Sequence, residues 1–337
     1  MEMIKFNEQE KIDSVNGALA LRPQINEIVD EICEHGYSNI CWLGVGGTWA
    51  SAMQATVHMK EMSAIETWAE NAAEYLTTGN KRITKDTVVI ISSVSGNTKE
   101  VVDAIKKIKN EVGATVISFV DAKEAILLDL GDYKISYPMN EQLKFFMVAD
   151  RFMFNNGELE DYDDMYAEFD KYLAEDLVEV EKKAEPFAIE FAKKHWNDEM
   201  HYFVGAGNQW GATYSYAMCY WEEQLWLKTK SITSNEFFHG MFEIVTKETP
   251  VTIYIGEDAQ RPLSERVANF IPRICENYTI IDSKDYELKG ISEKYRKHFD
   301  YLRSMADDIT SNNQRNIIYS TLGVIRSNLA SITRVGE

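Results

Sequence analysis

The sequence predicts an α/β protein built from two tandem parallel-sheet units that are related by internal duplication. The first observation is a repeat: NICWLGVGGTWASA (39–52) and MHYFVGAGNQWGAT (200–213) both read as a buried strand, a glycine turn and a helix. Two glycines and a tryptophan recur 161 residues further along, in the pairs Gly44 and Gly205, Gly46 and Gly207, and Trp49 and Trp210.

The repeat continues beyond this motif, which is the second observation. The apolar strand TVVIIS (87–92) has a counterpart in VTIYIG (251–256), and NAAEYL (71–76) resembles TSNEFFHG (233–240) after a one-residue shift. A period this long indicates duplication of a whole unit, since solenoid repeats recur every 20–50 residues. Strands that alternate with helical stretches predict parallel sheets flanked by helices.

We place the first unit at 15–155, a helical connector at 156–198 and the second unit, with a C-terminal tail, at 199–337. The connector is acidic and has one apolar face, formed by Met165, Phe169, Tyr172, Leu173, Leu177 and Val180. The carboxylates of ELEDYDD (158–164) are interpreted as a solvated face, and no metal site is predicted. A last helix is expected over 316–327, followed by the tail SNLASITRVGE.

Composition and charge narrow the function classes. The formal net charge is −19, from 54 acidic and 35 basic residues, a field that repels nucleic acid and anionic lipid. No run of about 20 apolar residues occurs and the start has no apolar signal core, so we expect a cytoplasmic protein without membrane partners. The four cysteines have no C-x-x-C spacing, which argues against a zinc site or a disulfide framework.

The glycine turns do not fit the common nucleotide-binding motifs. G-V-G-G-T, after the first strand, lacks the third glycine of the dinucleotide fingerprint, and no G-x-x-x-x-G-K-[ST] sequence occurs. Nucleotide binding is therefore disfavoured.

A phosphate site is predicted in the first half. SSVSGNTKEVV follows the strand DTVVII, so that Ser93, Ser95 and Thr98 surround Gly96 where a strand runs into a helix. Unpaired N–H groups at a helix N-terminus favour an anion, and glycine allows close backbone approach. The alternative is an ordinary serine-rich cap. Gly47 and Thr48, from the first glycine turn, are assigned to the same phosphate site.

The second half lacks this motif, because its equivalent stretch reads GEDAQRP (256–262), but it carries Glu223 and His239, sixteen residues apart. On one unbroken helix they would be separated by about 24 Å and face opposite ways. The β-branched and small residues of 229–234 predict a break between them. Thr233 and Glu236 then read as a capping box that opens a new helix. The alternative is a surface carboxylate and an ordinary core histidine.

The motifs described above resemble those of a known protein family. S-x-S-G-x-T after a strand, with duplicated G-x-G turns, is similar to the double sugar isomerase (SIS) fold of phosphosugar enzymes. NEFFHGMFEIV (235–245), with Glu223 and Trp226, resembles the fructosamine-6-phosphate deglycases of the fructoselysine type. The resemblance spans roughly 15–335 and implies two tandem SIS domains.

Two departures weaken the aminosugar isomerase interpretation. Tyr220 stands where those enzymes carry a lysine, three residues before the glutamate, and Leu329-Ala330-Ser331 also lacks their lysine in the tail.

The resemblance implies an activity that needs no metal or organic cofactor. The expected substrate is a 6-phosphorylated Amadori compound, in which a fructose 6-phosphate carries an amino acid nitrogen on C1. Glu223 is expected to move a proton between C1 and C2, and His239 to open the ring and transfer the oxygen protons. Water would then release glucose 6-phosphate and the amine.

Two other function classes remain open: an aldose–ketose isomerase or aminosugar phosphate deaminase, and a non-catalytic phosphosugar sensor. Related SIS enzymes place the histidine of the H-G motif at a subunit boundary. We therefore expect a homodimer or higher homo-oligomer, in which His239 of one chain completes the site that holds Glu223 of the other. The remaining histidines are interpreted as structural or exposed: His35, His58, His195, His201 and His298.

Overall fold

The structure, a computed structural model, describes residues 6–292 and 294–295. The helix expected over 316–327, the tail SNLASITRVGE, Leu329-Ala330-Ser331 and His298 lie outside these residues.

The described strands form two parallel sheets, as the repeat predicts. They are β1 Asn39–Gly44, β2 Thr67–Asn71, β3 Thr87–Ser93, β4 Thr115–Val120, β5 Tyr133–Ser136, β6 His201–Gly205, β7 Thr229–Thr233, β8 Val251–Ile255 and β9 Tyr278–Asp282. The first sheet has the order β2-β1-β3-β4-β5 and the second β7-β6-β8-β9. Because the strand order is the same through the first four strands of each sheet, the duplication extends to the topology.

Helices and shorter helical turns connect these strands. The α-helices are α1 Glu8–Leu19, α2 Arg22–His35, α3 Gly47–Met62, α4 Ala72–Thr78, α5 Lys99–Lys107, α6 Ile126–Leu130, α7 Glu141–Asn155, α8 Tyr162–His195, α9 Asn208–Ser215 and α10 Arg261–Phe270. Among the described residues, two segments are π-helical, Ile108–Val112 and Tyr216–Glu222, and four are 3₁₀-helical: Phe237–His239, Met241–Ile244, Ile271–Arg273 and Ser283–Asp285.

The first sheet is covered on both faces, which explains why its central strands are apolar without alternation. Successive residues of β1 and β3 enter two different clusters. Trp42 and Ile90 pack with α2, α3 and α7, whereas Leu43 and Ile91 pack with α4, α5 and α6. The carboxyl edge of this sheet is therefore held by a core on each side.

The predicted connector is the single long helix α8, which contains Pro186. Of its predicted apolar face, five residues are buried (Met165, Phe169, Leu173, Leu177 and Val180) and Tyr172 is partly buried. This face packs against the core of the first unit. No described helix is long and apolar enough to cross a membrane.

Helices α3 and α9, which follow the two glycine turns, pack against each other and join the two units. Gln54 donates a side-chain hydrogen bond to the carbonyl of Asn208 at 3.0 Å. The rings of Trp49 and Tyr214 meet edge to face at 5.6 Å. A Cβ on Gly211 would lie 2.5 Å from the carbonyl oxygen of Ala50, so glycine permits this close packing.

Candidate active site

The predicted phosphate residues lie in two loops at the carboxyl edge of the first sheet. β1 and β3 are neighbours, with Leu43 opposite Ile91, but the chain leaves β1 towards β2 on the other side. Ligands of open α/β sheets bind at such a reversal of strand order, because the two loops diverge there and leave a crevice. The loop after β1 leads directly into Gly47 and Thr48, the first residues of α3, and the loop after β3 contains Ser95 and Gly96.

The loop after β1 forms one wall of the crevice. Gly46 has φ 62° and ψ −129°, and no heavy atom lies within 4 Å of the position where a Cβ would stand. Thr48 Oγ1 accepts a hydrogen bond from the Val45 N–H at 3.1 Å and donates to the Val45 carbonyl at 3.0 Å. No side chain caps α3, so its first N–H groups and dipole are available to an anion.

The loop after β3 forms the other wall. Ser93 is buried, and its hydroxyl accepts a hydrogen bond from the Gly96 N–H at 3.0 Å; Ser95 likewise accepts from the Asn97 N–H at 3.2 Å. Because both hydroxyl groups act as acceptors in these bonds, each can still donate its proton to a ligand. Gly96 has φ 63°, and a Cβ there would lie 2.4 Å from Ala125. Thr98 precedes α5 without capping it by its side chain.

Glu223 directly follows the π-helical segment that continues α9. The Glu223 N–H donates to the Met218 carbonyl at 3.0 Å, and the fully buried Trp221 anchors the segment in the core. Cys219 Sγ lies 3.7 Å from the position of a Cβ on Gly47. The segment therefore touches the α3 N-terminus at Cys219, about one helical turn before Glu223.

His239 follows a residue that is buried in a different cluster from the one that holds Trp221. The predicted break is confirmed, because β7 separates the two residues, but the capping box is wrong: Thr233 ends β7, and only a short 3₁₀ turn, Phe237–His239, follows. Phe237 is fully buried with Val204 on one face of the second sheet, whereas Trp221 packs with Phe203 on the other.

Both candidate catalytic side chains are exposed. Within the described part of the chain, neither Glu223 nor His239 makes a side-chain hydrogen bond or ion pair.

The equivalent crevice of the second unit is filled by the protein itself. Asp258, after β8, is 3% exposed, and its carboxylate accepts hydrogen bonds from the N–H groups of Asn208 at 2.9 Å and Gln260 at 2.7 Å. Burial raises the pKa of Asp258 more than these backbone bonds lower it. The stretch GEDAQRP thus places an internal carboxylate at the N-terminus of α9.

A cluster near the second sheet was not predicted from the sequence. His195 and His201 each place Nδ1 against Asp198 Oδ2, at 2.7 and 2.8 Å, and His201 Nε2 lies 2.8 Å from Thr252 Oγ1. These ligand-type atoms lie within 4.8 Å of one another, a spacing that a metal ion could use. The hydrogen bonds explain the cluster without one. Burial lowers the pKa of His201 to about 4, which keeps the imidazole neutral.

Comparison with known proteins agrees with this architecture. Residues 36–150 match the family model of the SIS domain. This stretch, which contains the first sheet, is therefore similar to SIS domains. A Bacillus subtilis protein assigned as a phosphosugar isomerase has the same fold, with a TM-score of 0.83 at 21% identity over 90% of this chain and 94% of its own.

Two curated relatives have narrower names. The fructosamine deglycase FrlB of Bacillus subtilis (strain 168) is 27% identical over 271 residues, covering 74% of this chain and 80% of the relative. The fructoselysine 6-phosphate deglycase of Escherichia coli O157:H7 is 23% identical over 272 residues, 77% of each chain. The chain is thus similar in sequence to two deglycases, one of which is named for a phosphorylated substrate.

Proposed function

We propose that this protein is a deglycase that cleaves a fructosyl-amino acid 6-phosphate with water to glucose 6-phosphate and the free amino acid. The observation that carries the proposal is an open anion cradle at the β1–β3 crevice, formed by the α3 N-terminus and the loop 93–98. Cys219 of the second unit lies against the cradle residue Gly47, and Glu223 follows Cys219 by about one helical turn. A phosphate held there leaves the rest of a sugar chain to reach towards the second unit. The names of the two curated relatives support this substrate class.

The reaction needs a base and a proton donor but no redox step. In the ring-opened ketosamine, Glu223 removes a proton from C1, and the electron pair forms a C1–C2 double bond while O2 takes a proton from His239. Glu223 then returns a proton to C2 and O2 keeps its own, so that the double bond moves to C1 and nitrogen. Water adds to this imine, and the carbon–nitrogen bond breaks to give the aldehyde of glucose 6-phosphate and the amine.

Glu223 and His239 are proposed to meet across two chains. In one chain they are anchored in clusters on opposite faces of the second sheet, Trp221 on one and Phe237 on the other. His239 is also exposed beyond the edge strand β7, where a second copy can approach it. A homodimer or higher homo-oligomer in which the chains exchange His239 would complete each site.

The proposal is tested by turnover of several phosphorylated Amadori compounds. Fructosyl-lysine 6-phosphate, substituted on the α or the ε nitrogen, and fructosyl-asparagine 6-phosphate are each incubated with the protein, and glucose 6-phosphate is measured by a coupled dehydrogenase. At least one should be consumed, with the amino acid released in equal amount. The same compound without its phosphate should be processed far more slowly.

Parallel reactions separate the other function classes. Conversion of glucosamine 6-phosphate, or of fructose 6-phosphate with ammonia, in place of every Amadori compound would assign the protein to the deaminases or isomerases. Binding of phosphosugars without turnover of any would contradict an enzymatic role and favour a sensor.

A further inference from the structure

The segment 137–141, between β5 and α7, has a strained backbone. Met139 and Asn140 have φ values of 61° and 52°, and both are non-glycine residues. Left-handed backbone costs a residue such as Met139 roughly 1–2 kcal/mol, whereas asparagine adopts it more readily, so the surrounding structure must hold Met139 in place. Strain of this kind is common where a fold positions a functional group.

Hydrogen bonds from buried side chains hold this segment. Asn140 Nδ2 donates to Ser14 Oγ at 2.7 Å, and Lys144, which is fully buried, donates to the Tyr137 carbonyl at 2.7 Å. These bonds fix the point at which α7 begins. The first residue of α7 is Glu141.

The Glu141 carboxyl lies between α3 and β3, two elements that border the β1–β3 crevice. The hydroxyls of Ser51, on α3, and Ser92, on β3, are close enough to its carboxyl to lower the pKa of Glu141, although burial prevails and raises it. Ser51 Oγ lies 3.5 Å from the Gly47 carbonyl, which is one helical turn back along α3. Glu141 is therefore joined to the first turns of α3, the helix that begins at Gly47.

The Ser92 hydroxyl is close to Glu141 but makes no well-formed hydrogen bond with it. Ser92 is 1% exposed, and among the described residues its Oγ has no hydrogen bond of good geometry. A buried polar group without a partner costs about 1–3 kcal/mol, and a ligand that supplies the partner recovers it. A half-buried carboxyl beside two serine hydroxyls is a suitable environment for a polyhydroxylated ligand.

We propose that Glu141 binds the hydroxyl groups of the sugar chain next to the phosphate. The inference rests on the proposed function for the identity of the ligand, a 6-phosphorylated sugar, and assigns a residue that determines its specificity. The amine is an unsuitable partner for Glu141, because it sits on C1, at the opposite end of the six-carbon chain from the phosphate. Glu141 accepts hydrogen bonds from the hydroxyls and transfers no proton in the reaction.

The test compares two ligands that share a phosphate and differ in hydroxyl groups. Binding of glucitol 6-phosphate and of butyl phosphate is measured by calorimetry for the wild type, Glu141→Gln and Glu141→Ala. The matched control is Glu27→Gln, an exposed carboxylate on α2. Glu141→Ala should weaken glucitol 6-phosphate binding by about tenfold or more and leave butyl phosphate within about twofold. Glu141→Gln, which keeps one acceptor, should lie between.

Each other outcome overturns the assignment. Equal weakening of both ligands would make Glu141 a structural support of the cradle, and unchanged binding of glucitol 6-phosphate would remove it from the sugar site. If Glu141→Ala unfolds, the isosteric Glu141→Gln variant decides alone. The measurement uses no turnover, so selective weakening in a protein that cleaves no Amadori compound would contradict the proposed function only. If the wild type bound neither ligand, both proposals would fail.

Discussion

The two glycine turns of this protein have nearly the same backbone and opposite surroundings. Gly46 has φ 62° and ψ −129°, Gly207 has φ 60° and ψ −135°, and each immediately precedes a helix. A Cβ on Gly207 would lie 2.1 Å from Asp258, whereas a Cβ on Gly46 would meet no heavy atom within 4 Å.

The comparison explains what duplication has done to the site. An anion position at a helix N-terminus exists twice in the fold, because the turn that creates it was copied with the unit. In the second unit the Asp258 carboxylate occupies it permanently, and in the first unit it is open. The second unit is thereby free for a different task, and it carries the carboxylate and imidazole that the proposed reaction needs. Four predictions test this division of roles.

The largest effect is expected from Glu223→Gln, which retains size and hydrogen bonding but removes the basic lone pair. Turnover of the Amadori substrate should fall by roughly 10²–10⁴-fold, the usual contribution of a general base. The matched control is Glu222→Gln, an adjacent exposed carboxylate that accepts a hydrogen bond from Thr229 at 2.6 Å. If Glu223→Gln kept activity within a few-fold of wild type, Glu223 would have no role as the base.

The second prediction concerns the pH dependence of stability. It applies to the second unit only, because His201 in β6 corresponds to the apolar Ile40 in β1. The folded pKa of His201 is about 4, below the ordinary 6.5, so the unfolded chain binds this proton first. Stability should therefore fall as pH drops from about 6.5 to about 4, by about 3 kcal/mol in full. Denaturant unfolding at pH 7 and pH 5 should show a smaller loss for His201→Gln, whereas exposed His35→Gln should behave as wild type.

The third prediction concerns the first-unit cradle. Ser95→Ala and Thr98→Ala should each raise KM about tenfold, since a hydrogen bond to a charged group contributes about 1.5–3 kcal/mol. kcat should change less, because the phosphate is remote from C1 and C2 and its binding is shared by ground and transition states. Steady-state kinetics beside Thr77→Ala, an exposed threonine on α4, measures this. A non-phosphorylated compound processed equally well would contradict the phosphate site.

The smallest effect comes from a matched pair, Gly46→Ala and Gly207→Ala. Both variants carry the same strain from positive φ, but only Gly207→Ala also displaces a hydrogen-bonded carboxylate, which should cost about 1–3 kcal/mol more in the free energy of unfolding. Only Gly46→Ala should weaken binding of a 6-phosphosugar. Equal losses of stability and of affinity would mean that the two turns are not functionally distinct.

Much of the fold was predictable because it depends on local pattern and on its repetition. The buried strands and glycine turns have the same order of residue types in both units, so predicting one sheet predicted the other. The break between Glu223 and His239 was predictable from the β-branched residues of β7. In each case the residues that specify the structure are neighbours in the sequence.

The remaining features depend on contacts between distant segments. The segment before Glu223 is π-helical where Trp221 enters its cluster, and Trp226 has φ 57° although it is not glycine; no local sequence pattern predicted either feature. The capping-box prediction failed because Thr233 is paired in β7, opposite Gly205. The position of Asp258 at the α9 N-terminus was likewise not predictable, because it depends on contact between two loops that are fifty residues apart in the chain.

The central claim, that each active site combines Glu223 of one chain with His239 of another, is tested most directly by mixing two inactive variants. Glu223→Gln and His239→Ala are co-expressed with different affinity tags, and the mixed assembly is isolated by purification on both. In a mixed dimer one composite site carries both substitutions and the other carries neither, so turnover should recover to about half of the wild-type value. A mixed dimer of verified composition that remains inactive would place both residues in the same chain's site and contradict the account.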